Sequence, residues 1–248
     1  CGKLPDVANM QDLLVYVTKG LSEVATALRA EGKSVPREIG ALVTYNLFVT
    51  ITNANFDKEA IIRDVETTLE EKAKFLAQLS NKEGLTDAAN WDGNMDEYEA
   101  KAKTVGVLAE QNEDIRSLKE LITYGLKGLA TYEHHANMVG RYNDATNEFV
   151  QSALADTLKE KSVDELIAVV KEVADAIDAP LVVEGCKNVE KDAELLPKVA
   201  EALQGRNVLI LSEKEENYKA IGAAAGLAYN QIVGAESAVD INLAKQLN

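Results

Sequence analysis

The sequence is poor in cysteine, in aromatic residues and in positive charge. Its two cysteines, Cys1 and Cys186, are too few for a disulfide framework and favour a reducing compartment. No run of about eighteen apolar residues occurs, so we expect no membrane-spanning helix. Lysine and arginine total 26 against 41 acidic residues, and the net charge of −15 argues against nucleic acid, whose phosphates need a basic surface. These shortages predict an anionic, cytoplasmic protein.

Recognisable catalytic chemistry is also scarce. No Ser–His–Asp arrangement and no carboxylate pair with a partner histidine can be argued, so no residue is predicted to be catalytic. The two histidines, His134 and His135, are adjacent, and on a helix they point about 100° apart and cannot chelate one metal ion. We expect them to be solvated or packed. What the chain does have is 46% hydrophobic residues over 248 positions, enough to bury a large core.

Helical spacing of apolar residues dominates residues 1–176. It predicts seven helices, over about 9–28, 36–49, 58–79, 95–110, 114–139, 144–160 and 163–176. Asp57 is placed to cap the third helix, and Ser162 with Glu165 has the form of a capping box. The longest connection, 81–94, holds Trp91, which we expect to pack as a lid on the core. Seven helices with short loops predict a mainly α fold built of antiparallel helical bundles.

One stretch of the first helix returns later in the chain. Residues 12–21 and 120–129 share the pattern acid–Leu–aliphatic–x–Tyr–x–x–Lys–Gly–Leu. A glycine inside a helix costs about 1 kcal/mol relative to alanine, yet Gly20 and Gly128 occupy matching places. Close approach of another helix is one explanation, and two ordinary core helices are the alternative. We predict that both glycines lie at helix contacts.

The pattern changes near residues 177–180, where Pro180 prevents a helix from continuing. Short apolar runs at 180–185, 207–211 and 231–235 predict strands, and they alternate with helices predicted over 190–203, 216–229 and 238–247. The sequence thus predicts a helical-bundle domain over 1–176, followed by three parallel βα units over 177–248. The loop 185–188 follows a strand end, where parallel βα architectures place ligands.

Several motifs in the first part of the chain are specific enough to indicate a family. They are Cys1-Gly2-Lys3-x-Pro5-x-Val7-Ala8-Asn9, Lys19-Gly20-Leu21-Ser22, Thr50-Ile51-Thr52-Asn53-Ala54-Asn55-Phe56, Asn112-Glu113-Asp114-Ile115-Arg116-Ser117-Leu118 and Ser162-Val163-Asp164-Glu165-Leu166. On these motifs residues 1–172 resemble the helical first domain of the hybrid cluster protein family (hydroxylamine reductase, prismane). The resemblance implies two three-helix bundles and an iron–sulfur cluster held by four cysteines. Cys1 matches the last of these cysteines and is the predicted metal ligand, and the others would lie upstream of it.

The second part of the chain carries a different set of motifs. They are Pro180-Leu181-Val182-Val183-x-Gly185-Cys186, Glu190-Lys191-Asp192, Glu216-Asn217-Tyr218-Lys219 and Asp240-Ile241-Asn242-x-x-Lys245-Gln246-Leu247-Asn248. They are similar to the small subunit of the corrinoid iron–sulfur protein of the acetyl-CoA pathway, a TIM barrel that helps to hold cobalamin. The resemblance implies a partial, TIM-barrel-like segment. It also implies cobalamin contacts from Cys186, Asn188, Asp240 and Asn242.

Two resemblances in one chain predict a composite protein and leave three functional readings open. In the first, the chain is a fragment related to a hydroxylamine or nitric oxide reductase, joined to part of a methyl-carrier barrel and not catalytic alone. In the second, it is a module of the CO dehydrogenase/acetyl-CoA synthase pathway that binds a corrinoid or a partner protein. In the third, other chains supply the missing ligands and complete an oxidoreductase. All three imply a redox partner or another subunit, and a homo-oligomer is compatible with each.

Overall fold

The structure, a computed structural model, describes residues 3–52, 56–178, 180–186, 188–235 and 245. Helices fill its first part, and no strand precedes residue 181 among these residues. They are α1 (Pro5–Ala30), α2 (Arg37–Ile51), α3 (Lys58–Leu76), α4 (Asp87–Asn90), α5 (Met95–Val105), α6 (Glu113–Met138), α7 (Asp144–Asp156) and α8 (Val163–Ala176). The expectation of a mainly helical first part is confirmed.

Strands and helices alternate in the second part. The elements are β1 (Leu181–Glu184), α9 (Val189–Ala202), β2 (Val208–Glu213), α10 (Tyr218–Ile221) and β3 (Ile232–Ala235), with a π-helical turn over Gly222–Ala228 between the last two. The three strands form one parallel sheet in the order β1–β2–β3. The predicted parallel sheet is confirmed. The predicted helix 238–247 lies outside the described residues, except for Lys245.

Close contacts divide the chain into two compact units. The first comprises residues 1–109 and 122–160, and the second comprises 110–121 and 161–248. The division falls within helix α6. Its residues 113–121 belong to the second unit, and its residues 122–138 belong to the first. The predicted division at 176 and 177 describes where helices give way to strands, and as a statement about domains it stays a prediction.

Helix α1 is the centre of the first unit and packs against α2, α3, α4, α5 and α7. Its apolar residues recur at helical spacing, and Leu13, Leu14, Val17 and Leu21 are each 0% exposed. The helix begins at Pro5, four residues before the predicted start at Asn9. Proline is well suited to a first helical turn because the N–H that it lacks would have no helical partner there. The predicted start was therefore wrong.

The connection 81–94 is more ordered than its composition predicts, because it contains the short helix α4. The buried Lys72 of α3 holds it in place, and its Nζ donates to the carbonyl oxygens of Ala88 at 2.7 Å and Trp91 at 2.5 Å. Burial lowers the pKa of Lys72 to about 8. The Trp91 ring packs on the core, with ring centroids 6.2 Å from Tyr16 and 6.0 Å from Tyr98, which confirms its role as a lid.

Among the described residues, a helix contact of the predicted kind is found at one of the two repeated glycines. A Cβ on Gly20 would lie 2.5 Å from the carbonyl carbon of Ala88 and closer still to its oxygen, so α4 approaches α1 at a point where only glycine fits. A Cβ on Gly128 would meet no described atom within 4 Å. The prediction is confirmed for Gly20 and is wrong for Gly128.

Two predicted caps are confirmed, and they fix the starts of helices in different units. Asp57 accepts from the backbone N–H of Ala60 at the start of α3. Ser162 and Glu165 form a complete capping box at the start of α8. Each cap satisfies N–H groups that have no partner within the helix.

The second unit is built on the sheet, with α9 packed against β2 and α8 against α9. Val183, Val208 and Ile210 face this covered side and are at most 4% exposed. The opposite side carries an apolar row across the strands, because Val182 pairs in register with Leu209 and Leu209 with Ile232. Val182 and Ile232 are 56% and 61% exposed. One face of the sheet is thus covered by helices, while the other presents exposed apolar side chains.

Candidate functional site at the carboxyl edge of the sheet

The carboxyl ends of β1 and β2 bring a set of polar residues together. Strands of a parallel sheet end at the same edge, and ligands of α/β proteins bind there. Gly185 and Cys186 follow β1, while Ser212 and Glu213 form the end of β2. The corresponding residues after β3, from 236 to 244, lie outside the described part of the chain. The site can therefore be built from two of the three strand ends.

Asp192 organises the loop after β1. This aspartate is 2% exposed, lies in the first turn of α9 and accepts from the Cys186 backbone N–H at 2.8 Å and from its thiol at 3.2 Å. A Cβ on Gly185 would lie 2.5 Å from the carboxylate of Asp192, so the close turn requires glycine. The Gly185 N–H donates to the Ser212 hydroxyl at 2.7 Å, which ties the loop to β2.

Asn188 links the same loop to the first turn of α6. Its side-chain oxygen caps α9 by accepting from the Lys191 N–H, and its amide nitrogen donates to Glu113 at 2.6 Å. Lys191 forms an ion pair with Asp114, with 3.3 Å between the charged atoms. Asp114 raises the pKa of Lys191. Both polar ends of the Asn188 side chain are therefore used within the fold.

The end of β2 carries a buried acid. Glu213 is 6% exposed, and burial raises the pKa of its carboxyl. A Cβ on Gly222 would lie 2.7 Å from its Oε1 atom, so the π-helical turn approaches this carboxyl closely. Asn217, which is 2% exposed, braces the edge by accepting from the Lys214 N–H at 2.7 Å. The fold therefore favours the protonated form of this glutamate.

The chemistry of Cys186 follows from its surroundings. Burial raises the pKa of the thiol, and the hydrogen bond to Asp192 acts in the same direction. A thiol needs its anionic form to attack an electrophile or bind a metal ion. Cys186 is therefore held as a neutral hydrogen-bond donor, which suits a structural role better than a nucleophilic one.

The structure brings two of the predicted site residues together and does not describe the others. Cys186 and Asn188 lie in one loop, while Cys1, Asp240 and Asn242 fall outside the described residues. Sequence reasoning missed the functions of Asp192, Glu213 and Ser212. The spacing of four residues between Asn188 and Asp192 was an available signal, since it places both at the start of one helix.

The described residues do not supply a complete ligand set for the cofactors that the resemblances imply. A four-iron cluster takes about four thiolates, whereas the chain has two cysteines and the described one is a hydrogen-bonded thiol. No group of three or more histidine, cysteine or acidic side chains in the described ranges could hold a metal ion. The described Cys186 and Asn188 direct their polar groups to Asp192 and Glu113, so these two side chains are committed within the fold and not to cobalamin.

The two histidines pack against an aromatic ring, which is one of the two arrangements expected for them. His134 stacks on Phe48 with 4.4 Å between ring centroids, and His135 meets the same ring edge-on at 5.3 Å. Burial lowers the pKa of His134, and the neighbouring His135 adds to this effect. The pair is thus explained by packing on α2.

The first unit also contains a polar cavity of about 270 Å³ at the starts of α2 and α7. Its charged side chains pair with one another. Arg29 lies 3.4 Å from Glu148, and Arg37 lies 3.3 Å from Asp144. The lining is therefore close to neutral, and no nucleophile or metal-binding cluster is found among its residues.

Fold and site together define a class: a mainly helical protein whose second part adds a small parallel sheet of three strands with a hydrogen-bonded carboxyl edge. Comparison with known proteins gives the family. Residues 1–177 match the profile of the Prismane/CO dehydrogenase family. The chain belongs to this family, and the resemblance predicted for its first part is confirmed.

A second profile matches the other end of the chain. Residues 132–248 match the CO dehydrogenase/acetyl-CoA synthase delta subunit, and the two matches overlap over 132–177. The composite character predicted from the motifs is thus supported. None of the helices formed by the described residues has both the length and the apolar character needed to cross a membrane.

Curated relatives agree with the first match. The chain is 49% identical over 174 residues to the hydroxylamine reductase of Desulfovibrio desulfuricans, which covers 69% of this chain and 32% of the relative. It is 49% identical over 168 residues to the hydroxylamine reductase of Bacteroides fragilis, an alignment that covers 67% of this chain and 31% of the relative. It is 41% identical over 204 residues to the hydroxylamine reductase of Thermosipho melanesiensis, an alignment that covers 77% of this chain and 37% of the relative. The chain spans about a third of the length of these relatives.

Proposed function

We propose that this chain provides the helical domain of a cytoplasmic hydroxylamine reductase-type protein and is not catalytic alone. The observation that carries the proposal is the Prismane/CO dehydrogenase match over residues 1–177, supported by relatives named hydroxylamine reductase. In this reading the helices form two three-helix bundles. Iron–sulfur chemistry, which includes the reduction of hydroxylamine or nitric oxide, depends on ligands that this chain's two cysteines cannot supply alone.

The role left to this chain's own residues is structural and positional. The buried face of α1 holds the first unit together, and α4 closes it through the contacts of Lys72 and Trp91. Such a unit can support a cluster and present a surface to a redox partner without contributing a reacting group. The reaction itself is then completed by polypeptide that carries the remaining ligands.

A domain exchange tests this proposal. Residues 3–175 of this chain would replace the aligned segment of the D. desulfuricans hydroxylamine reductase, leaving the relative's remaining residues to supply the other ligands. We expect the hybrid to fold and to reduce hydroxylamine within about tenfold of the parent, a loss of about 1.4 kcal/mol or less in transition-state stabilisation. A folded hybrid, with parental iron content but no activity, would contradict the proposal.

The second candidate function is favoured by the delta-subunit match over 132–248 and by the exposed apolar row of the sheet. We propose that the three βα units are an arc of a TIM-like barrel and bind another subunit of the CO dehydrogenase/acetyl-CoA synthase pathway. The assignment of Cys186, Asn188, Asp240 and Asn242 as corrinoid contacts stays a prediction, and the described pair does not support it.

Equilibrium dialysis of the full chain against cobalamin distinguishes binding of another subunit from binding of a corrinoid. Because Cys186 and Asn188 are committed to hydrogen bonds within the fold, we expect no retained cobalamin. Retention of about one equivalent per chain, lost on Asn188→Ala and unchanged on the exposed substitution Thr67→Ala, would restore the corrinoid reading.

A further inference from the structure

The polar cavity of the first unit is lined by a buried carboxamide. Asn147 of α7 lies in this lining and is 3% exposed. Neither its side-chain oxygen nor its side-chain nitrogen has a hydrogen-bond partner among the described residues. Buried polar side-chain atoms are nearly always hydrogen-bonded, because burial removes them from bulk water. This amide therefore requires a partner that the described part of the chain does not supply.

Close packing on α2 fixes the position of Asn147. A Cβ on Gly40 would lie 2.6 Å from the Cγ atom of Asn147 and 2.7 Å from its Cβ atom, so only glycine leaves room for the amide here. Gly40 is itself buried and lines the same cavity. The backbone N–H of Asn147 donates to the carbonyl oxygen of Asn143 at 3.0 Å, in the first turn of α7. The carboxamide is thus held against α2 by packing, while its two polar atoms are left for the cavity.

The charged groups around the cavity compensate one another. Arg29 lies 3.4 Å from Glu148, and Arg37 lies 3.3 Å from Asp144, so two cations face two anions. Arg29 also donates to the side-chain oxygen of Gln151 at 2.5 Å. A charged ligand would lose its hydration in such a lining without gaining an uncompensated counter-charge. The lining therefore favours a neutral occupant.

The size of the cavity and the chemistry of the amide narrow the occupant further. The volume of about 270 Å³ lies just below the range of about 300–1,000 Å³ that is typical of pockets for drug-sized ligands. A carboxamide presents one acceptor and one donor side by side, whichever way its plane is turned. The complementary edge is an N–H next to a carbonyl or ring-nitrogen acceptor, as in a lactam, a primary amide or a nucleobase.

We propose that this cavity binds a small neutral molecule with such a donor–acceptor edge, and that Asn147 recognises the edge through two hydrogen bonds. Arg37 and Asp144 are exposed members of the lining and mark its open side. The residues of the site all belong to the first unit, and the site does not depend on the reductase assignment. Water alone could also satisfy the amide atoms, and the experiment distinguishes the two occupants.

A pair of matched ligands tests this proposal on the full chain. The probe is γ-butyrolactam, which carries the donor–acceptor edge, and its counterpart is cyclopentanone, which keeps the ring and the carbonyl but lacks the N–H. Isotope-edited NMR of the chain gives the readout. We expect the lactam to cause saturable shifts of the Asn147 side-chain amide signals. Cyclopentanone should bind at least about tenfold more weakly, because it leaves the acceptor of Asn147 without a partner.

Two substitutions locate the binding. Asn147→Leu replaces the amide by an apolar group of similar size, so the chain should fold while its affinity for the lactam falls at least about tenfold. Asn137→Leu is the matched control, because it removes a buried amide that is not part of the cavity lining and should leave this affinity unchanged. The absence of saturable shifts at tens of millimolar lactam would overturn the proposal, since water alone would then satisfy Asn147. Equal affinities for the two ligands, or lactam binding that survives Asn147→Leu, would overturn it as well.

Discussion

Replacing Gly20 by alanine tests the packing of the helical unit most sharply. The new methyl group would lie 2.5 Å from the Ala88 carbonyl carbon and still closer to its oxygen. Both atoms belong to backbone, so they cannot rotate away as a side chain could. The same oxygen accepts the hydrogen bond from Lys72 at 2.7 Å. The substitution must therefore move α4 and disturb the contact of a buried ammonium.

The magnitude follows from three opposing effects. Overpacking a well-filled contact costs about 1–3 kcal/mol, and a weakened hydrogen bond from a charged group costs about 1.5–3 kcal/mol. Alanine returns about 1 kcal/mol through its better helix propensity. We expect Gly20→Ala to lower the free energy of unfolding of the first unit by about 2–4 kcal/mol.

The assay uses the single tryptophan of the chain, because Trp91 lies in the perturbed contact and its carbonyl also accepts from Lys72. Urea unfolding followed by Trp91 fluorescence reports on this unit. Gly128→Ala is the matched control, since its methyl group meets no described atom and should raise stability by about 1 kcal/mol. Equal shifts in the two variants, or an unchanged Gly20→Ala midpoint, would refute the packing argument.

Three further predictions concern titratable groups whose pKa the fold shifts. Burial lowers the pKa of Lys72 to about 8, below its value of 10.5 in the unfolded chain. The free energy of unfolding of the parent chain should therefore rise by about 3 kcal/mol between pH 8 and 10.5, relative to that of Lys72→Met. Urea unfolding of both proteins across this pH range measures the difference. Burial raises the pKa of the Glu213 carboxyl, so the parent chain loses stability as pH rises through this raised pKa. The substitution Glu213→Gln should therefore stabilise the chain more at pH 7 than at pH 4, as measured by unfolding followed by circular dichroism. A parallel pH profile in either variant would exclude that group as the cause. Iodoacetamide should modify Cys186 at least about tenfold more slowly in the folded chain than in urea, because partial burial and Asp192 raise the pKa of the thiol. Asp192→Asn should speed the reaction in the folded chain. Mass spectrometry of the Cys186 peptide checks both rates, and equal rates in folded and unfolded chain would contradict the raised pKa.

Much of the helical architecture could be predicted from local signals. Apolar spacing located the long helices, and Asp57 and Ser162 marked two starts because a cap is a local hydrogen bond. The start of α1 was missed since Pro5 is compatible with both a loop and a first turn. The change from helix to strand near Pro180 was also local, and the three strands lie where short apolar runs predict them.

Features that depend on distant residues could not be predicted in this way. Lys72 donates to the carbonyl oxygens of Ala88 in α4 and of Trp91 just after it, and nothing in residues 81–94 reveals that partner. The fates of Gly20 and Gly128 differ although their local sequences match, since α4 covers only the first. At the sheet edge, Cys186 and Asn188 were found from their loop, whereas Asp192 and Glu213 gained their roles from burial. Burial is a property of the assembled fold.

The chain belongs to the Prismane/CO dehydrogenase family, and we expect that its own residues do not hold a four-iron cluster alone. The direct measurement is iron analysis of the purified 248-residue chain after anaerobic reconstitution, with intact mass and native mass to fix its sequence and oligomeric state. With two cysteines, one of them a partly buried thiol that donates to Asp192, we predict no stoichiometric four-iron centre. A monomer of this mass that binds about four iron atoms and shows the spectrum of such a cluster would contradict the account.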